Sequence, residues 1–285
     1  MSSVKRKTKI IIKRSLAVLL IACSLLCLAG CGASGWRYRP ITDVNDLGGR
    51  RVAVLLSWEA DYYLTGREDM ELVRYDSVAD MLLALKFGEV DVMAFDELGA
   101  KGMVAGTEGL ELVKEPFGYT GYTLYFKEGD EALRDDFNAF LAEYKQTEAY
   151  TDHLLRLETF DGVSYDEPEI PLTGTGEVLA VGIEGEGFPR TFMEGGESVP
   201  TGFDVEALKL FANARNYQLE FFVSTYENMV YGLQSGVYDI ATGYLSDVNE
   251  EEALASGLLT SDKLDVVPLN FVQKNRATIE IKTDT

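Results

Sequence analysis

The cysteines are the first residues whose type and spacing point to specific chemistry, and all of them lie within the first 31 residues. They follow a basic segment and accompany the apolar run Ser15–Leu28, which is shorter than the about 20 residues of a membrane-spanning helix. The tetrapeptide Leu28-Ala29-Gly30-Cys31 resembles the site at which a lipoprotein signal peptidase cleaves. We expect a signal peptide over residues 1–30 and a palmitate-type lipid on Cys31, with an uncleaved anchor helix as the alternative.

The remaining chain is strongly acidic and poor in catalytic residue types. Residues 1–30 hold six of the 26 basic residues and no acidic one, which leaves 20 basic against 47 acidic residues, or a charge of −27. Nucleic-acid binding is therefore not expected, because phosphate contacts need clustered Lys and Arg. The single histidine, His153, is expected at a surface or a helix end. Since the motifs of phosphate loops, nucleophile elbows and metal clusters are missing, we expect no cofactor and no metal.

Apolar strands alternate with amphipathic helices in two blocks, which predicts an α/β fold. In the first block, Ser77 is expected to cap a helix that stops at Gly88. Residues 161–176, rich in Pro, Gly and polar side chains, are expected to form a linker to the second block. The predicted strands are Val52–Leu56, Glu71–Tyr75, Val90–Phe95, Val178–Ile183, Gln218–Val223 and Tyr238–Thr242.

Five short motifs have residue types and spacing typical of one protein family: Thr201–Val205, Leu233–Asp239, Asp46–Val54, Tyr75–Val78 and Gly88–Val92. The first two resemble the first lobe of family 3 extracellular solute-binding proteins, which are receptors of ABC importers. The other three are similar to the second lobe of that family. The resemblance implies a two-lobed, periplasmic-binding-protein-like α/β fold.

The order of the segments departs from that family, because the second-lobe motifs come first. We expect a tether at 31–45, a second-lobe-like segment at 46–120, a return segment of the first lobe at 121–160 and a first-lobe-like segment at 177–285. This order predicts a circular permutation whose lobes are joined near Tyr122–Lys127 and Val267–Lys274. The alternative is a tandem protein in which each copy has lost its outer half.

The resemblance also implies which side chains contact a solute between the lobes. The first lobe would supply Phe188, Arg190, Tyr244 and Ser246, and the second lobe would supply Trp58, Glu59 and Asp96. In amino-acid receptors of the family, an Arg clamps the ligand carboxylate and an acid at the position of Asp96 meets the amine. Here Glu251 falls at the Arg position, so the usual grip on a carboxylate is absent.

Two interpretations of these acids stay open. In one, Asp96, Glu59 and Glu251 form an anionic pocket that suits an amine or another organic cation, flanked by the aromatic residues Trp58, Tyr244 and Phe188. In the other, the acids are solvated surface residues. Arg190 would either neutralise a glutamate or replace the missing grip on an anion.

We therefore expect a lipid-anchored, extracytoplasmic receptor at the cell membrane that binds a small polar solute, such as an amine or an amino-acid-like compound. Its expected partners are that solute, an ABC-transporter permease and the membrane through the lipid on Cys31. No enzymatic activity is expected. The alternatives are a degenerate sensory or interaction lipoprotein and a dehydratase on the same fold, in which Glu59 and Glu251 would act as acid and base.

Overall fold

The computed structural model describes residues 39–193 and 199–275. The expected signal peptide at 1–30, the lipidation site Cys31 and most of the expected tether at 31–45 lie outside the described residues. The described chain is a mixed α/β fold with two main sheets, which confirms the predicted fold class.

The first sheet and its helices form a unit that we call lobe A. Its elements are β1 (Arg51–Leu55), α1 (Glu59–Leu64), β2 (Glu71–Tyr75), α2 (Val78–Phe87), β3 (Val92–Asp96), α3 (Glu97–Gly106), β4 (Leu110–Leu112), β5 (Gly118–Tyr122) and β13 (Asp265–Lys274). The strand order is β2-β1-β3-β13-β4, and β5 also pairs with β13. β1, β2 and β3 run parallel, whereas β13 is antiparallel to β3.

Both faces of this sheet are covered, because side chains along a strand alternate between two apolar clusters. Ala53 and Leu55 of β1 pack into one cluster, and Val52 and Val54 pack into the other. As predicted, Ser77 caps α2 by accepting a hydrogen bond from the backbone N–H of Asp80, and Gly88 ends that helix with φ +79°.

The second sheet and its helices form lobe B. Its elements are β6 (Tyr125–Lys127), α4 (Glu131–Tyr144), α5 (Glu148–Thr159), β7 (Val178–Glu184), β8 (Glu186–Gly187), β9 (Thr191–Phe192), α6 (Phe203–Arg215), β10 (Gln218–Ser224), α7 (Tyr226–Ser235), β11 (Ile240–Thr242), α8 (Glu250–Ala255) and β12 (Leu258–Thr260). The strand order is β10-β7-β11-β6-β12, and β8 and β9 form a separate hairpin. The expected return segment and the expected first-lobe segment therefore contribute strands to the same sheet.

The expected linker contains no helix or strand within the described residues 161–176, and it runs along α6. The Tyr165 hydroxyl donates a hydrogen bond to Glu206 at 3.2 Å, and Lys209 pairs with Glu167. Further along, the backbone N–H of Thr173 donates to the Asn213 side chain at 2.9 Å. These contacts fix the linker against lobe B.

Two adjacent segments join the lobes. One lies between β5 and β6, and the other lies between β12 and β13. They are hydrogen-bonded to each other, since Leu264 N donates to Tyr122 O at 2.7 Å and Ser261 N donates to Leu124 O at 2.9 Å. The second crossing therefore precedes the expected Val267–Lys274, which lies within β13 of lobe A.

The two ends of the described chain meet beside lobe A. The Ile41 backbone N–H donates to the Gln273 side-chain oxygen at 2.8 Å, and the Gln273 amide donates to Ile41 O at 3.1 Å. Ile41 and Gln273 are both buried. The start and the end of the lobes thus lie side by side in space.

Candidate functional site

Most of the residues expected to contact a solute converge where lobe A faces lobe B, in what we call the interlobe cluster. Trp58 and Glu59 lie at the start of α1, and Asp96 ends β3. Tyr244 and Ser246 lie in the turn after β11, in lobe B. The interlobe cluster comprises Trp58, Glu59, Phe95, Asp96, Tyr122, Phe188, Tyr244 and Ser246.

Glu59 is a buried acid in this cluster, with only 4% of its surface exposed. Burial, with a smaller contribution from the nearby Asp96 carboxylate, raises its pKa to about 7. Ser246, from lobe B, lies close enough to oppose part of this shift. Glu59 therefore titrates near neutral pH, unlike an ordinary surface glutamate.

Asp96 is buried at 2% exposure and caps α3. Its Oδ1 accepts a hydrogen bond from the Gly99 backbone N–H at 3.0 Å, whereas its Oδ2 is buried without a hydrogen-bond partner. Burial raises the pKa of Asp96 to about 6, against the lowering effect of the Gly99 hydrogen bond and the Arg190 charge. An orphaned carboxylate oxygen at this depth is costly unless something binds it.

Aromatic rings from both lobes meet within the same cluster. The Trp58 ring centroid lies 5.6 Å from that of Phe95 and 5.9 Å from that of Tyr244 across the lobe boundary. Tyr122 packs edge-on against Tyr244 at 5.7 Å. The Tyr244 hydroxyl donates to the Phe188 carbonyl at 2.9 Å, which also brings Phe188 to the cluster.

Two strained residues bracket the cluster. Ser57 has φ +62° immediately before Trp58, and Tyr244 has φ +54°. Left-handed backbone at residues other than glycine costs free energy and is concentrated at functional sites. Each lobe therefore has one residue in an unfavourable backbone conformation at the cluster, next to Trp58 in lobe A and at Tyr244 in lobe B.

Arg190 is fully buried, but it faces aspartates rather than either expected glutamate. Its guanidinium lies 2.7 Å from Asp204 Oδ1 and 2.8 Å from Asp265 Oδ2. It also lies 3.9 Å from the centroid of the Tyr122 ring. Because its charge is engaged on both sides, Arg190 is not free to clamp a ligand carboxylate. Asp204 also accepts a hydrogen bond from Thr242 at 2.7 Å.

The expectation of a surface or helix-end position for His153 is wrong, since this residue is 1% exposed in α5. Its ring nitrogens lie 3.4 Å from Asp265 and 3.7 Å from Glu206. Burial lowers the pKa of His153, but hydrogen bonds and charge from the two acids outweigh it, so the net shift is upward. Arg156 donates hydrogen bonds to both Glu206 oxygens at 2.7 and 2.8 Å, and these residues form an inner ion cluster of His153, Arg156, Arg190, Asp204, Glu206 and Asp265.

Glu251 lies apart from the other candidates, on the exposed face of α8. Tyr122 and Asp265, by contrast, were not among the candidates, although both contact Arg190. An aspartate that opens an apolar strand after the linker-like Ser261-Asp262-Lys263 is the only signal for Asp265 in the sequence.

Within 39–193 and 199–275, no group of three or more His, Cys, Asp or Glu side chains is arranged to hold a metal ion. No helix in these ranges has the length and apolar character needed to cross a bilayer.

Comparison with solved structures finds low-identity similarities over most of the chain. The ligand-binding component of an ABC-type import system from Staphylococcus aureus, with zinc bound, has 11% identity and a TM-score of 0.42, covering 82% of this chain and 68% of that one. Holo ArgBP from T. maritima has 12% identity and a TM-score of 0.39, covering 85% and 90%. The GluR0 ligand-binding core with L-glutamate has 11% identity and a TM-score of 0.38, covering 82% and 90%.

No curated protein sequence matches the chain. A family match does occur, over residues 179–256, to the bacterial extracellular solute-binding proteins, family 3. That stretch runs from β7 to the end of α8 and contains both first-lobe motifs, Thr201–Val205 and Leu233–Asp239. The resemblance of this chain to family 3 of the bacterial extracellular solute-binding proteins is thus confirmed over residues 179–256.

Proposed function

We propose that the protein is a lipid-anchored, extracytoplasmic solute-binding receptor of an ABC importer, which closes its two lobes on a small polar solute. The interlobe cluster is the observation that carries this proposal. Trp58 from lobe A meets Tyr244 from lobe B across the lobe boundary, so a hinge motion of the two lobes would make or break this contact. The family match supports a ligand-binding role.

We also propose that the lobes are circularly permuted relative to that family. In the family order, lobe B would begin the chain, β13 would follow, and β1 would come next. The contact between Gln273 and Ile41 supports this order, because it places the end of β13 beside the segment that leads into β1. The linker at 161–176 would then join the original termini.

The signal peptide at 1–30 and the lipid on Cys31 belong to the same proposal. In this arrangement the tether at 31–45 enters beside lobe A and holds the receptor near an ABC permease. The acidic body, with its charge of −27 after residue 30, would stand off anionic headgroups and leave the lobes free to move.

A thermal-shift screen of amines, amino acids, small peptides and sugars tests the proposed receptor. We expect at least one solute to raise the melting temperature without being consumed. Trp58→Ala should abolish that rise, whereas Tyr231→Ala, which removes a ring that is 70% exposed on α7, should preserve it. If no solute raises the melting temperature, the degenerate-module alternative replaces the receptor.

The dehydratase alternative has one specific observation in its favour. Glu59, with a pKa near 7 in an enclosed cluster, has the character of a general acid. Asp96 is its buried acidic neighbour, whereas the formerly expected partner Glu251 is exposed on α8. Appearance of product in the stabilising mixtures, lost in Glu59→Gln, would favour this alternative over a receptor.

A further inference from the structure

The buried acids near the lobe boundary differ in whether a cation compensates them. The inner ion cluster is balanced once His153 is protonated, as its upward pKa shift favours. Its three cations and three anions contact one another at 2.7 to 3.7 Å. The members are His153, Arg156, Arg190, Asp204, Glu206 and Asp265.

Glu59 and Asp96 lie outside this balance. Arg190 exerts some attraction on Asp96, but its ion pairs are with Asp204 and Asp265. The nearby Asp247 adds a further negative charge beside Glu59, and its own salt bridge is to Lys263. Two buried carboxylates therefore face each other without an ion-pair partner among the described residues, which is unfavourable when both are ionised.

Tyr122 gives an independent sign that something binds between these groups. Its ring is 1% exposed, and its hydroxyl is buried without a hydrogen-bond partner. The Tyr122 ring belongs to the interlobe cluster, since its centroid lies 5.7 Å from that of Tyr244. Buried hydroxyls are almost always satisfied in native proteins. The interlobe cluster thus holds two orphaned polar atoms, the Tyr122 hydroxyl oxygen and Asp96 Oδ2.

We propose that the interlobe cluster binds a small organic cation that carries an amine or quaternary ammonium group and no carboxylate. This inference rests on the proposed receptor function and names its class of solute. The positive group would lie between Asp96 and Glu59, against the Trp58 and Tyr244 rings, where charge pairing and cation–π attraction act together. A carboxylate on the solute would be repelled by Glu59. It would also lack a cationic partner in Arg190, which is ion-paired with Asp265.

Calorimetric titration of the full chain with matched pairs of compounds tests this proposal. Agmatine and phenethylamine are arginine and phenylalanine without the carboxylate, and choline adds a quaternary ammonium. We expect at least one of the three cations to bind. Agmatine should bind at least tenfold more tightly than arginine, or phenethylamine at least tenfold more tightly than phenylalanine. Asp96→Asn and Glu59→Gln should weaken binding at least tenfold, whereas the exposed Glu251→Gln should change it less than twofold.

A pH series on the unmutated protein keeps the test decisive if a variant does not fold. A cation favours the ionised acids, so its affinity should rise from pH 5 to pH 8 as Glu59 and Asp96 lose their protons. Affinity that is flat over this range contradicts the proposal.

The other outcomes separate this inference from the receptor itself. If the amino acids bind as tightly as their amines, or only neutral or anionic solutes raise the melting temperature, the solute class is wrong while the receptor stands. If no compound of any class binds, the receptor fails and this inference fails with it.

Discussion

Arg190 and Glu59 show how two buried charges in one region acquire opposite roles. Arg190 is enclosed by Asp204, Asp265 and the Tyr122 ring, so its charge is used within the protein. Glu59 has no such ion pair among the described residues, and its pKa rises to about 7. Proximity of Glu59 to Asp96 followed from the motifs. The partners of Arg190 did not, because Asp265 lies 75 residues further along the chain.

Replacement of Arg190 tests its structural role. Arg190→Met should lower the free energy of unfolding by about 3–5 kcal/mol, because it leaves Asp204 and Asp265 buried without their cation. Arg134→Met, which removes the partly exposed pair with Asp135, should cost less than about 1 kcal/mol. Urea denaturation at pH 7 measures both. Equal effects of the two substitutions would show that Arg190 is not the main compensating charge.

The raised pKa of Glu59 predicts a pH-dependent stability. The native protein keeps this proton up to about pH 7, whereas the unfolded chain loses it near 4.5, so Glu59 contributes stability below 4.5 that is lost as pH rises through 7. Glu59→Gln should therefore gain stability relative to the unmutated protein between pH 5 and 8, by up to about 3 kcal/mol.

Denaturation curves across this pH range check that gain. His153 is present in both proteins, so its titration cancels in the difference. Glu251→Gln, an exposed control, should track the unmutated protein at every pH. A difference between Glu59→Gln and the unmutated protein that does not change with pH would contradict a buried, neutral Glu59.

At the scale of elements, capping and periodicity predicted helices better than they predicted where the chain changes lobe. α2 is bounded by its predicted cap residues, Ser77 and Gly88. The crossing at 261–264 was missed because the apolar pattern of β13 is the same whichever sheet it joins. Strand patterning identifies a buried strand, but pairing partners decide its lobe.

The turn at Gly202 packs directly against the backbone of Arg190. Gly202 has φ +127°, and a Cβ there would lie 2.2 Å from the Arg190 carbonyl oxygen. Gly202→Ala should therefore destabilise the protein by about 2 kcal/mol or more, through both strain and overlap. Gly106→Ala, at a position with nothing within 4 Å of the added carbon, should be neutral or stabilising by up to about 1 kcal/mol. Thermal melts that rank the two variants in the opposite order would contradict this role of the turn.

At the scale of the whole molecule, the strands that make up each sheet are relevant to the proposed permuted order. Both sheets draw strands from before and after the linker, with β13 in lobe A and β6 in lobe B. The sequence predicted two lobes from five motifs, but only the spatial pairing reveals that Ile41 and Gln273 are neighbours. A contact across 232 residues has no local signature in the sequence.

Restoring the family order tests the proposed permutation. A chain that runs 170–275, a short Gly/Ser linker and then 40–169 keeps every linker contact with α6 and should fold with a circular dichroism spectrum like that of the natural order. We expect melting temperatures within about 5 °C of each other, because the new junction bridges neighbouring residues and the cut falls in the linker. A reordered chain that stays unfolded would favour the tandem alternative.

Closure of the two lobes on a solute is the central claim, and single-molecule energy transfer between them measures it most directly. Lys86 in lobe A and Glu220 in lobe B are exposed, and a chain that starts at Gly32 has no cysteine, so Lys86→Cys with Glu220→Cys gives two unique labelling sites. The account predicts that a solute that raises the melting temperature shifts the transfer efficiency to a new, narrower population, and that Trp58→Ala prevents the shift. An efficiency distribution that stays unchanged at saturating solute would contradict it.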